Sequence, residues 1–106
     1  PYHQSVRAIE MNQNVMDKLT AVADKLRRRY TVSRIGVFGS HARGDHNGAS
    51  DVDVLVEFAE PTFDNYMDLK FELEELFQRP VDLVMADSVK PRLRSIIAKE
   101  VIYAEG

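Results

Sequence analysis

Gly39-Ser40-His41-Ala42-Arg43-Gly44 and, beyond a polar loop, Ser50-Asp51-Val52-Asp53-Val54-Leu55-Val56-Glu57-Phe58 carry most of what this chain says about itself. The second stretch alternates acid and valine before turning continuously apolar, the pattern of a strand with one face in a core. Side chains at alternate strand positions share a face, so Asp51 and Asp53 project together while Val52 and Val54 point the other way. Two neighbouring carboxylates repel, and burial raises the cost of ionising both. A divalent cation removes that conflict, and hard oxygen ligands suit magnesium. An Asp-x-Asp pair alone is equally the mark of a solvent-facing strand or of an edge guarded by charge. Its surroundings decide between the two.

Upstream, Ile35 to Phe38 is a short apolar run read as a buried strand, and Gly39-Ser40 stands at its end, where a brief helix or turn begins. Glycine lets a backbone approach a ligand closely, and amides at a helix start face an anion. Ser40 adds a hydroxyl, and Arg43 a forked cation able to grip a phosphate oxygen. His41 to Ser50 reads as a loop, in which His41 and His46 lack zinc-like spacing and are assigned to the surface. Downstream, Val81-Asp82-Leu83-Val84-Met85 is a third strand carrying a single acid. Pairing of the strands would set Asp82 beside the first two acids. Three converging carboxylates hold two metal ions about 3.5–4 Å apart, the arrangement for in-line phosphoryl displacement.

The rest of the chain frames these strands. Val15, Leu19, Val22 and Leu26 make the stripe of an amphipathic helix from about Asn12 to Arg29, with Arg27, Arg28 and Arg29 at the end favoured by the helix dipole and read as solvated. Thr62 caps a second helix over 62–77, with Phe63, Tyr66, Leu69, Leu73, Leu76 and Phe77 as its apolar face and Glu72, Glu74 and Glu75 mostly outside. Pro91 opens a last helix over 91–99. Val101 to Tyr103 adds a short strand. The fold class is α/β in the order α-β-β-α-β-α: a small mixed sheet with helices packed on it.

With 106 residues there is one domain, 1–106, with 1–11 read as a flexible lead-in and Met11 as a candidate start. The absence of cysteine removes disulfides, thiolate zinc and a cysteine nucleophile, and fits a cytoplasmic location. No apolar run approaches the roughly 20 residues that cross a bilayer. A net charge of −3 argues against strong non-specific binding of nucleic acid.

The two quoted stretches, with Val81-Asp82-Leu83-Val84, resemble the signature of the minimal nucleotidyltransferases of the DNA polymerase β superfamily: Gly-Ser, a loop, Asp-x-Asp on a strand, and a third acid on a later strand. The resemblance spans about residues 12–103. It implies that Asp51 and Asp53 bind two Mg²⁺ ions, with Mn²⁺ as the alternative, and that Asp82 binds the one activating the attacking hydroxyl. It also implies that Gly39 and Ser40, with Arg43, hold the triphosphate of ATP. Stand-alone domains of this size resemble the antitoxin of a two-gene pair whose partner is an α-helical HEPN-type toxin, and such domains transfer AMP to a tyrosine of the toxin. Two other functions stand beside this one: a non-catalytic module that silences the toxin by occlusion, and a small-molecule nucleotidyltransferase. The last normally needs an added domain for its acceptor. Here the acceptor is expected from another chain, or from a second copy in a homo-oligomer.

Overall fold

The computed structural model describes residues 15–44 and 51–104. Helix α1 (Val15–Tyr30) leads through Thr31, whose φ of 57° makes a one-residue turn, into strand β1 (Val32–Phe38). A single turn of helix, α2 (Ser40–Arg43), is closed by Gly44 in the left-handed conformation. Strand β2 (Val52–Phe58), helix α3 (Phe63–Phe77), strand β3 (Val81–Met85), a 3₁₀ turn (Ala86–Ser88), helix α4 (Pro91–Glu100) and the two-residue strand β4 (Ile102–Tyr103) complete it.

The strands form one mixed sheet in the order β3-β2-β1-β4. β1 runs antiparallel to both β2 and β4, and β2 is parallel to β3. A parallel pair needs a crossover, and α3 supplies it. Thr62 caps that helix by accepting a hydrogen bond from the Asn65 amide at 3.1 Å, as the sequence predicts.

The two sheet faces differ in depth. On one, Leu19, Ala23 and Leu26 of α1 and Leu69 and Leu73 of α3 meet Ile35, Val37, Val52, Val54 and Val56, all wholly buried. Burying each such aliphatic side chain contributes about 1.5–3 kcal/mol, so this layer anchors the domain. Along its edge the Tyr30 hydroxyl donates to Glu72 Oε1 at 2.5 Å, and Lys25 pairs with Glu72 at 3.2 Å. The opposite face carries a smaller cluster of Leu55, Val89 and Ile97 beneath α4. Period-two alternation therefore sends Asp53 and Asp82 to the α4 side, away from the main core.

Several expectations need adjustment. The first strand begins at Val32, not Ile35, because Ser33 and Arg34 are outward positions of a paired strand; Arg34 Nε donates to Glu57 Oε2 of β2 at 3.1 Å. Phe63, expected on the buried face of α3, is 76% exposed at the first position of that helix. Glu72, expected outside, is half-buried by its bonds to Tyr30 and Lys25. Arg27 is tied to the end of the chain's last strand, donating to the Ala104 carbonyl at 3.1 Å. The helix start at 12–14, the loop residues His46 and Asn47, and the lead-in 1–11 lie outside the described residues.

Candidate active site

The parallel register between β2 and β3 sets Asp53 directly opposite Asp82, so the two carboxylates leave the sheet side by side on the α4 face. Asp51 is the residue before β2 begins, exposed, two positions from Asp53. On the other flank, the antiparallel register aligns Asp53 with Phe38, the last residue of β1, and so lays its side chain against Gly39. A Cβ built on Gly39 would fall inside van der Waals contact of the Asp53 carboxylate, and only 3.2 Å from its Cγ. Gly39 has φ 75° and ψ −151°, a conformation essentially restricted to glycine. Position 39 thus requires glycine twice over, for its backbone and for the acid packed on it.

These elements enclose a cleft of about 620 Å³ whose walls include Gly39, Ser40, Arg43, Asp53 and Asp82. The residues expected to hold phosphate and two of the three acids therefore share one concavity; Asp51, exposed just before β2, is not among its lining residues, though its charge is felt at Asp53. α2, with four residues, adds little dipole, so any anion held there is held by individual donors. The facing wall is α4 and the turn before it, including Ser88, Lys90, Arg92, Leu93 and Ile96. Leu93 and Ile96 are about half exposed, at 47% and 50%, which leaves an apolar strip beside the acids. A larger groove of about 790 Å³ lies between α1 and α3 on the other side of the sheet. Of its acids Asp68, Glu72 and Glu75, Glu72 is bonded to Tyr30 and Lys25, and among the described residues no glycine or serine turn lines the groove, so the chemistry points to the smaller cleft.

The electrostatics show where charge is unbalanced. Burial pushes the Asp53 carboxyl above its ordinary value, the charges of Asp82 and Asp51 push further, Arg43 opposes them, and Glu100 adds to the rise. A carboxylate uncomfortable for these reasons is one that a cation would relieve. The donors are all hard oxygens, the set that suits Mg²⁺ or Mn²⁺. Among the described residues, no three acidic or histidine side chains already converge into a cation cage. The backbone register presents the acids on one face, and their side chains are not drawn in around a centre.

The facing wall of the cleft, and Glu100 with it, escaped the sequence reading. Glu100, the last residue of α4, accepts from the Gly39 amide through Oε1 at 3.2 Å and from Arg43 Nη1 through Oε2 at 2.8 Å. It lies 61 positions from Gly39, so no local pattern could have linked the two. On the same helix Arg92 lines the cleft, whereas Arg94 donates to the Val89 carbonyl at 3.0 Å.

Comparison with known proteins gives the family and the fold of the chain. The nucleotidyltransferase-domain family pattern matches residues 19–104. The protein adenylyltransferase MntA of Thermococcus cleftensis is 44% identical over 86 residues, covering 80% of this chain and 87% of that one. A solved structure of the minimal nucleotidyltransferase type superposes with a TM-score of 0.73 at 34% identity, covering 86% of this chain and 96% of that one. A complex of tri-AMPylated Shewanella oneidensis HEPN toxin with MNT antitoxin contains the same fold, with a TM-score of 0.62 at 21% identity over 86% of this chain and 72% of that one. With its strand-borne acids, its Gly-Ser turn and a family match over most of its length, the chain belongs to the nucleotidyltransferase domain family.

Proposed function

We propose that this chain is a Mg²⁺-dependent protein adenylyltransferase that moves AMP from ATP to a tyrosine hydroxyl of a helical HEPN-type toxin, and so acts as its antitoxin. The single observation carrying the proposal is the register that opposes Asp53 to Asp82 while packing Asp53 on Gly39. In this reading it brings the candidate metal ligands and the candidate phosphate-holding turn into one cleft. The likeness to an adenylyltransferase 44% identical over most of both chains supports the choice of AMP and of a protein acceptor.

In this reading Asp51, Asp53 and Asp82 hold the divalent ions. When bound, these ions neutralise the triphosphate and lower the pKa of the acceptor hydroxyl. Gly39 and Ser40 orient the triphosphate, and Arg43 contributes a cation beside it. The acceptor oxygen attacks the α-phosphorus, the bond to the β-phosphate bridging oxygen breaks, pyrophosphate leaves, and the acceptor gives up its proton. A phenol suits the role because it ionises more readily than an aliphatic hydroxyl. The added AMP brings a negative charge and bulk to the toxin.

The test is to mix the chain with the toxin encoded beside it, ATP and Mg²⁺, and weigh both proteins intact. Addition of one or more AMP units to the toxin, lost in Asp51→Asn, is the expected result. A second reading, occlusion without chemistry, draws on the exposed Leu93 and Ile96 beside the acids. It predicts a tight, silent complex with no added mass.

A further inference from the structure

Glu100, an acid of the cleft, already has two donors. Its Oε1 takes the Gly39 amide at 3.2 Å, and its Oε2 takes Arg43 Nη1 at 2.8 Å. The carboxylate therefore clamps both ends of the Gly39–Arg43 segment from the last turn of α4. Gly39 is pressed on its Cα side by Asp53 and held on its amide side by Glu100. A residue in a sparsely populated backbone conformation keeps it only where its surroundings over-determine it. Those two contacts are the surroundings on the cleft side.

Resting on the nucleotidyltransferase reading of the cleft, we infer that Glu100 is a positioning residue for adenylyl transfer: by fixing the Gly39 peptide and the Arg43 guanidinium, it sets the phosphate-facing turn against Asp53. It touches neither metal nor nucleotide in this role. A negative charge beside a triphosphate is unfavourable by itself, and the Arg43 pairing offsets it. The opposite possibility is mere competition, in which Glu100 occupies donors that phosphate must take over. The two differ in sign. A clamp makes turnover worse when it is removed, whereas a competitor makes ATP binding better.

The experiment uses the whole chain with its toxin partner, comparing Glu100→Ala and Glu100→Gln with the unaltered protein. Steady-state transfer is followed by intact mass over a range of ATP concentrations, and circular dichroism confirms that each variant is folded. Glutamine keeps an acceptor for the Gly39 amide and loses the charge opposite Arg43. Displacing reacting groups by about 1 Å costs on the order of 10²-fold. Glu100→Ala is therefore expected to lower kcat by about tenfold to a hundredfold, with Glu100→Gln recovering part of the loss; the part not recovered, at constant side-chain volume, is the one that lost packing would not give. Unchanged kinetics in Glu100→Ala, a lower KM for ATP with kcat intact, or no recovery in Glu100→Gln would each overturn the clamp. If Glu100→Ala does not fold, the volume-matched glutamine variant decides: unchanged kcat refutes the inference, and a lowered kcat with unchanged unfolding supports it. Failure of the unaltered chain to bind ATP with Mg²⁺ is a separate result that removes the functional reading itself, and the clamp with it.

Discussion

Replacing Gly39 by alanine separates the cost to the fold from the cost to the site. The added methyl group meets the Asp53 carboxylate, with Cγ 3.2 Å away and Cβ at 3.5 Å. The backbone must also keep φ near 75° and ψ near −151°, or give up the turn into α2. Holding a non-glycine residue in that region costs about 1–3 kcal/mol. The carboxylate is the free end of a side chain and can rotate away, so the steric part is settled by moving Asp53 rather than by opening the core. Total destabilisation of about 1–3 kcal/mol leaves a domain of ordinary stability, about 5–15 kcal/mol, mostly folded. The displaced acid is the one on which the metal assignment centres, so transfer is expected to fall by on the order of 10²-fold or more. Urea unfolding followed by far-ultraviolet circular dichroism gives the first quantity, and the rate of AMP addition to the toxin gives the second. Transfer at the unaltered rate in a folded Gly39→Ala protein would refute the reasoning, because it would mean that the Asp53–Gly39 packing has no part in the reaction.

Two further predictions follow from charges in the fold. Asp53 keeps its proton to higher pH in the native state than in the unfolded chain, so above its unfolded pKa the native state binds more protons and stability declines as pH rises through its range. In metal-free buffer at neutral pH, Asp53→Asn is therefore expected to match or exceed the parent in unfolding free energy while losing nearly all transfer; marked destabilisation would identify Asp53 as a structural hydrogen-bonding residue instead. Burial, with the hydrogen bond to Glu72 and that residue's charge, raises the Tyr30 hydroxyl to about 12. A spectrophotometric titration should show a phenol ionising near that value that vanishes in Tyr30→Phe, together with stability that falls between the ordinary tyrosine pKa and the native one. Tyr30→Phe should itself cost about 1–2 kcal/mol, through loss of a hydrogen bond to a charged group, and unchanged stability would show that the bond contributes nothing.

What could be read from the sequence was whatever short-range pattern encodes. The acid–valine alternation from Asp51 to Val54 predicts one buried face and one acidic face, and the wholly buried Val52 and Val54 occupy the first. Thr62 and Pro91 mark helix starts through local backbone chemistry, and both helices fall within a residue of the expected bounds. The apolar run shows only the second half of β1, from Ile35, because the outward Ser33 and Arg34 are polar, although Arg34 is matched across the strands by Glu57. Phe63 misleads for the converse reason: helical spacing places it on the apolar stripe, but as the first residue of its helix it is exposed. Sheet order is non-sequential, so nothing local announces that β1 lies between β2 and β4. Glu100 could not be found at all from spacing, since its role depends on α4 ending over the Gly39 turn. Asp82 was legible as an acid in an apolar strand, but its exact opposition to Asp53 is a matter of register, which only the assembled sheet supplies.

The most direct test of the central claim, that this cleft is a joint metal and triphosphate site, is calorimetric titration of the purified chain with ATP in the presence and absence of Mg²⁺, repeated on the Asp51→Asn, Asp53→Asn double variant. Phosphates supply ligands that the carboxylates alone do not, so nucleotide and metal should each strengthen binding of the other. The account predicts Mg²⁺-dependent ATP binding by the unaltered chain that is lost in the double variant. Equal Mg²⁺-dependent binding by both proteins would contradict it, because the metal and nucleotide would then sit somewhere other than on Asp51 and Asp53.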